Sequence, residues 1–97
     1  VLSDIISASS GGNWAVSSYN PYPGVMDNVP ASDDYRGGCL VRLMIKDLAL
    51  ALDMARRSGS ETPLGDLANS RYEQLREQGL DDMDFSSIQK LYRATDR

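Results

Sequence analysis

The amino-acid sequence predicts an all-α fold. Apolar and polar residues nowhere alternate with the period of two that marks a half-buried strand. Apolar residues instead recur at helical spacing in two long stretches, and glycine or proline stands at the ends of both.

Taken in order, the chain opens with Leu2, Ile5 and Ile6 on one side of a helix over residues 1 to about 9. Ser9-Ser10-Gly11-Gly12 ends it, with glycines that tolerate left-handed backbone. The helical rhythm is already running at Val1, so the chain reads as a piece of something longer, and an absent partner would excuse a thin core. Asn13 suits the N-cap of a short turn through Trp14, Ala15, Val16 and Ser17. From Tyr19 to Arg36, three prolines and several Asn and Asp residues forbid a regular helix. The aromatic and aliphatic side chains of this segment (Tyr19, Tyr22, Val25, Met26, Val29 and Tyr35) predict a loop packed onto the helices. Ordered loops of that length are usually functional.

The organising stretch follows, a helix from about residue 39 to 58 with Gly59 as its stop. Its predicted core face carries Leu40, Leu43, Ala51 and Met54, which puts Asp47 on the same face. A carboxylate there costs several kcal/mol or so unless it is paired. Two readings stay open: neighbours satisfy Asp47, or the face borders a pocket into which Lys46 and Asp47 reach. Thr62-Pro63 signals the next helix, an N-cap with proline at the first position. Leu64, Leu67, Ala68, Tyr72 and Leu75 line one face, and Gly79 closes it. A final helix takes Asp84 as cap, with Met83 and Ile88 placed for a hydrophobic staple. Ile88, Leu91 and Tyr92 supply its buried stripe.

Composition narrows the function classes. Ninety-seven residues with 41% apolar content make one small domain, whose core is marginal by itself. The net charge is −4 and only Arg56-Arg57 places two basic residues together, so the chain carries no electrostatic footprint for nucleic acid. No apolar run approaches the length of a membrane span. One cysteine and no histidine exclude an internal disulfide, an ordinary Cys/His zinc site and a histidine base. The Asp33-Asp34 and Asp81-Asp82-Asp84 groups read as turn and cap residues rather than metal ligands. A single tryptophan such as Trp14 is more often core than ligand platform. Lys46 is a flexible point charge able to orient an anionic substrate or cofactor.

Several segments together carry a resemblance. Gly11-Gly12-Asn13-Trp14, Tyr19-Asn20-Pro21-Tyr22-Pro23-Gly24-Val25-Met26 and Tyr35-Arg36-Gly37-Gly38 resemble the β-hydroxyacid dehydrogenases. So do Leu43-Met44-Ile45-Lys46-Asp47-Leu48-Ala49-Leu50-Ala51, Thr62-Pro63-Leu64-Gly65 and Asp84-Phe85-Ser86-Ser87-Ile88, the 3-hydroxyisobutyrate branch being most similar. The likeness runs in order over nearly the whole chain. It implies that residues 1–97 are a C-terminal helical substrate and oligomerisation domain of the 6-phosphogluconate dehydrogenase-like type, lacking its first long helix. The family's N-terminal Rossmann domain, which binds NAD, would be a partner of this part, as would a second copy in a homo-oligomer. The implied reaction oxidises 3-hydroxyisobutyrate to methylmalonate semialdehyde in valine breakdown. The implied compartment is the cytoplasm in a bacterium and the mitochondrial matrix in a eukaryote.

By the same likeness Lys46 contacts the nicotinamide end of the cofactor, Asp47 orients it or lines the pocket, and Trp14 and Tyr19 belong to the substrate pocket. No catalytic residue is implied here, because the family's catalytic lysine and asparagine lie on the joining helix. One departure stands out: Cys39 follows the paired glycines where the family usually has phenylalanine. The rival readings are a relative acting on tartronate semialdehyde or a succinic semialdehyde, and a helical interaction module without chemistry.

Overall fold

The structure, a computed structural model, describes residues 1–93. Four α-helices and two 3₁₀ segments follow one another: α1 (Leu2–Ser7), α2 (Trp14–Ser18), a 3₁₀ turn (Pro30–Asp33), α3 (Val41–Ser58), α4 (Pro63–Glu77) and a 3₁₀ segment (Phe85–Tyr92). Among the described residues there is no strand, only an isolated antiparallel bridge between Leu40 and Asp84. The all-α expectation holds, with the last element wound as 3₁₀ rather than α. No described helix is long and apolar enough to cross a membrane.

The core forms where α3, α4 and the last 3₁₀ segment meet. Val41 and Ile45 of α3 and Tyr72 and Leu75 of α4 are buried, with Met44, Leu48, Phe85, Ile88 and Leu91 packed around them. A second, smaller cluster ties down the long loop through Val29, Ala31 and Tyr35, with Met26 and Met83 against it. Met83 and Ile88 thus serve different clusters, and Tyr92 is exposed rather than part of a buried stripe. On α4 the predicted face divides: Tyr72 and Leu75 are buried, whereas Leu64 and Leu67 are exposed.

The register of α3 corrects the sequence-based expectation. Its inward residues are Val41, Ile45, Leu48 and Leu52, spaced four, three and four apart. Leu43, Leu50 and Met54 are 46%, 62% and 71% exposed, and Ala51 and Asp47 are exposed with them. Leu43, Ala51 and Met54 of the predicted stripe therefore face outward, on a different side of the helix from the buried stripe, while Leu40, just ahead of the helix, is half-buried. Both stripes are apolar at helical spacing, so periodicity alone could not say which one this chain covers. Asp47 sits in water and bears no burial cost.

No side chain caps the start of α3; the loop of the early 80s does so with its carbonyls. Val41 N–H donates to Met83 O at 2.8 Å and Arg42 N–H to Asp81 O at 3.1 Å, so two orphan donors of the first turn are met. At the other end Gly59 takes the left-handed φ of 74° that closes the helix. The side-chain caps predicted at Asn13 and Asp84 form, accepting from Val16 N–H and Ser86 N–H, while Thr62 makes none.

Leu75 is fully buried between the helices. Leu75→Ala should cost about 2–5 kcal/mol by chemical unfolding. Met54→Ala, on the outward face, should change the stability of this chain by less than about 0.5 kcal/mol. Equal losses at the two positions would contradict the helix register described here.

Candidate functional site

The site is assembled around the long loop and the start of α3. α2 presents Trp14, which is 64% exposed, so it is not the core residue that its type suggests. Its ring stacks on Tyr19 at 5.2 Å between centroids, and Tyr19 stacks in turn on Phe85 at 5.5 Å. The three rings make a wall whose outer leaf is open to solvent.

The wall is pinned from beneath by Asp84, which is fully buried. Tyr19 Oη donates to Asp84 Oδ1 at 2.6 Å, and Cys39 N–H donates to the same oxygen at 2.8 Å. Ser86 N–H donates to Asp84 Oδ2 at 2.9 Å, and Ser86 Oγ donates to it as well. The backbone around the carboxylate is zipped too: Asp84 N–H donates to Tyr35 O at 2.7 Å and Phe85 N–H to Cys39 O at 2.6 Å. One carboxylate therefore joins the aromatic loop, the turn that starts α3 and the last 3₁₀ segment.

That closeness dictates the glycine before Cys39. Gly38 has a φ of 64°, and a Cβ there would collide with Asp84 Oδ1 and lie 2.6 Å from Tyr19 Oη. Upstream, Asp34 and Tyr35 also adopt positive φ, at 53° and 60°. Left-handed backbone at a buried tyrosine costs on the order of 1–3 kcal/mol. Tyr35 is held there by its own bonds: Tyr35 N–H to Pro30 O at 2.7 Å and Tyr35 Oη to Pro21 O at 2.7 Å.

Burial, then the hydrogen bond to Asp84 and its charge, raise the Tyr19 phenol well above the ordinary tyrosine range. Tyr19 is thus a fixed donor, with its one proton already given to Asp84. Tyr72 behaves similarly: burial and then the charge of Asp84 push it up from 10.0 to about 12. Its hydroxyl donates to Phe85 O at 3.1 Å.

Of the four residues expected at the site, Trp14 and Tyr19 come together. Lys46 and Asp47 lie exposed in the second turn of α3. Among the described residues neither side chain makes a hydrogen bond or ion pair, and neither residue is part of the ring stack. They belong to the outward face of α3, beside Leu43 and Leu50. A small cleft of about 110 Å³ opens beside the stack, lined by Ala15, Tyr19, Pro21, Tyr72, Phe85 and Ile88. Two larger clefts, of about 390 and 530 Å³, lie against the start of α4 and beside α1, and include none of the four. Sequence reasoning missed Phe85 as the third ring and saw Asp84 only as a cap. The reach from Asp84 to Tyr19 spans 65 residues, and no local spacing reveals it.

Comparison with known proteins supplies the frame for this geometry. Residues 1–92 match the family model described as "NAD-binding of NADP-dependent 3-hydroxyisobutyrate dehydrogenase". The chain belongs to that family. It is 55% identical over 95 residues to an NAD-dependent L-serine dehydrogenase of Pseudomonas aeruginosa, covering 98% of this chain and 32% of that protein. It is 52% identical over 101 residues to a 3-hydroxyisobutyrate dehydrogenase of the same organism, covering 99% of this chain and 33% of that one. The solved structure of Mycobacterium tuberculosis 3-hydroxyisobutyrate dehydrogenase with L-serine superposes with a TM-score of 0.88 at 36% identity, over 96% of this chain and 32% of that one. The chain thus spans about a third of the length of the family members it matches.

Two outcomes test the pinned wall. Gly38→Ala should destabilise the protein by more than about 1 kcal/mol, because the new methyl meets an oxygen that cannot retreat. The folded state also holds the Tyr72 proton more tightly than the unfolded chain does. Stability should therefore be complete below pH 10 and fall as pH rises through about 12. Tyr72→Phe should flatten that decline in an alkaline unfolding series, and an unaltered slope would contradict the assignment.

Proposed function

We propose that this chain is the C-terminal helical part, of the 6-phosphogluconate dehydrogenase-like type, of an NAD-dependent 3-hydroxyisobutyrate dehydrogenase. The whole enzyme would oxidise the primary alcohol of 3-hydroxyisobutyrate to methylmalonate semialdehyde, a step of valine breakdown. The observation that carries this reading is the exposed Trp14 stacked on a Tyr19 held rigid by Asp84, in a chain that matches the family along residues 1–92. A solvent-facing aromatic wall fixed by buried polar bonds is suited to a small organic substrate, not to core packing.

NAD, when bound, supplies the acceptor for the hydride that leaves the alcohol carbon. Lys46 fits a role beside it: its ammonium is exposed and, among the described residues, unpaired, so it can orient a polar group of cofactor or substrate. Asp47, next to it, would line the pocket or hold that ammonium in place. The group that takes the hydroxyl proton is assigned, by the family likeness, to the remainder of the enzyme, and Tyr19 has its own proton engaged by Asp84. The outward stripe Leu43, Leu50 and Met54 supports a layer packed over α3, which this reading assigns to the N-terminal Rossmann domain, with a homo-oligomer completing the assembly. By itself this chain should show no turnover.

L-Serine is the second substrate to weigh, because relatives at 55% and 36% identity are named for it or with it. The two acids differ at one substituent, methyl against ammonium. Asp84 already accepts four donors, so an ammonium would have to meet the ring faces or the carboxylate of Asp47 instead. The reading takes the methyl-bearing acid from the family model and the 52%-identical relative named for it. It is tested in the full-length enzyme with NAD: kcat/KM should be higher for 3-hydroxyisobutyrate than for L-serine, and the reverse order would assign the chain to a serine dehydrogenase. Lys46→Ala should lower kcat/KM by about a hundredfold, the scale of one positioned electrostatic group. Unchanged kinetics would return Lys46 to the solvated surface.

A further inference from the structure

The carboxylate of Asp84 does more than a helix cap needs. Capping Ser86 N–H requires one acceptor, which serine or asparagine also supplies. Instead a fully buried carboxylate stands here, and among the described residues no basic side chain pairs with it. Such a group is costly to bury unless its lone pairs are all used. They are: Oδ2 takes both Ser86 donors, while Oδ1 faces the other way and takes Tyr19 Oη and Cys39 N–H. The surplus oxygen reaches residues that the local cap does not involve. One is the middle ring of the wall, with Trp14 on one side and Phe85 on the other. The other begins the turn from which the Lys46 helix departs.

We propose that Asp84 is a positioning residue of the enzyme, acting through the Tyr19 hydroxyl to fix the substrate-facing wall of Trp14 relative to the start of α3. This rests on the reading of the wall as substrate-facing. Tyr19 in this view binds substrate with its ring position and not with its hydroxyl. Loss of either end of the Tyr19–Asp84 bond should then loosen the wall in the same way. Substrate affinity should suffer, while the chemical step on a correctly bound substrate should not.

The test is a double-mutant cycle in the full-length enzyme at saturating NAD, with Tyr19→Phe, Asp84→Asn and the pair. Each single variant should raise KM for 3-hydroxyisobutyrate roughly tenfold, the scale of one hydrogen bond to a charged group, with kcat within about twofold. The pair should be no worse than the poorer single variant. A roughly hundredfold product in the pair would overturn the proposal. So would a fall in kcat at constant KM in Tyr19→Phe, which would put the hydroxyl on the reacting alcohol, or parent-like kinetics in both single variants. If Asp84→Asn does not fold, Tyr19→Phe decides alone by the same KM-against-kcat split. An additional readout is acrylamide quenching of Trp14 fluorescence, with Trp14→Phe as the blank. Tyr19→Phe should increase it, and unchanged quenching would overturn the proposal even in a protein that turns over no hydroxy acid. A parent without hydroxy-acid turnover but with that increase would sink the dehydrogenase reading and leave the positioning role standing.

Discussion

A buried carboxylate with four hydrogen-bond donors and, among the described residues, no ion-pair partner is an unusual centre for a domain this small. Asp84 is reached from three directions, by the long loop through Tyr19, by the turn before α3 through Cys39, and by its own segment through Ser86. Each donor alone is worth about 1.5–3 kcal/mol net when it meets a charged group. Their joint effect is geometric: segments far apart in the sequence are clamped within hydrogen-bond distance of one point. The demand for Gly38 and the fixed place of Tyr19 in the stack of three rings follow from that clamp.

The same economy explains why α3 is apolar on two opposite sides. A helix of a free-standing small domain needs one apolar stripe. Here Val41, Ile45, Leu48 and Leu52 serve the core of this chain, while Leu43, Leu50 and Met54 are exposed among the described residues. In the proposed reading that second stripe lies under another layer. Lys46 and Asp47 interrupt the outer stripe, and the proposed function gives their charges to the cofactor and substrate side of that layer.

The class and the places of the four α-helices are legible because the relevant signals are local, whereas the 3₁₀ winding of Pro30–Asp33 and of the last segment is not. Asn13 and Asp84 as caps, Gly59 as a stop and the proline-laden loop all rest on the chemistry of neighbouring residues, and all are found. What was not legible depends on partners distant in sequence. The two stripes of α3 are equally apolar, and only the positions of Tyr72 and Leu75 decide which is inside. Residue type alone places a tryptophan such as Trp14 in the core more often than at a surface; its exposure here goes with Tyr19 stacked on one of its faces. Asp84 showed its cap but not its reach, because nothing near it in the sequence announces Tyr19 or Cys39.

Cys39 provides the most direct measurement of the clamp. Its side chain is exposed, yet its amide is bonded to Asp84, whereas the preceding amides of Gly37 and Gly38 have no partner among the described residues. Residue-resolved amide hydrogen exchange should find Cys39 strongly protected between two fast-exchanging glycines and a helix start. Exchange at Cys39 as rapid as at Gly37 and Gly38 would mean that the carboxylate does not hold this turn, and the account built on it would fail.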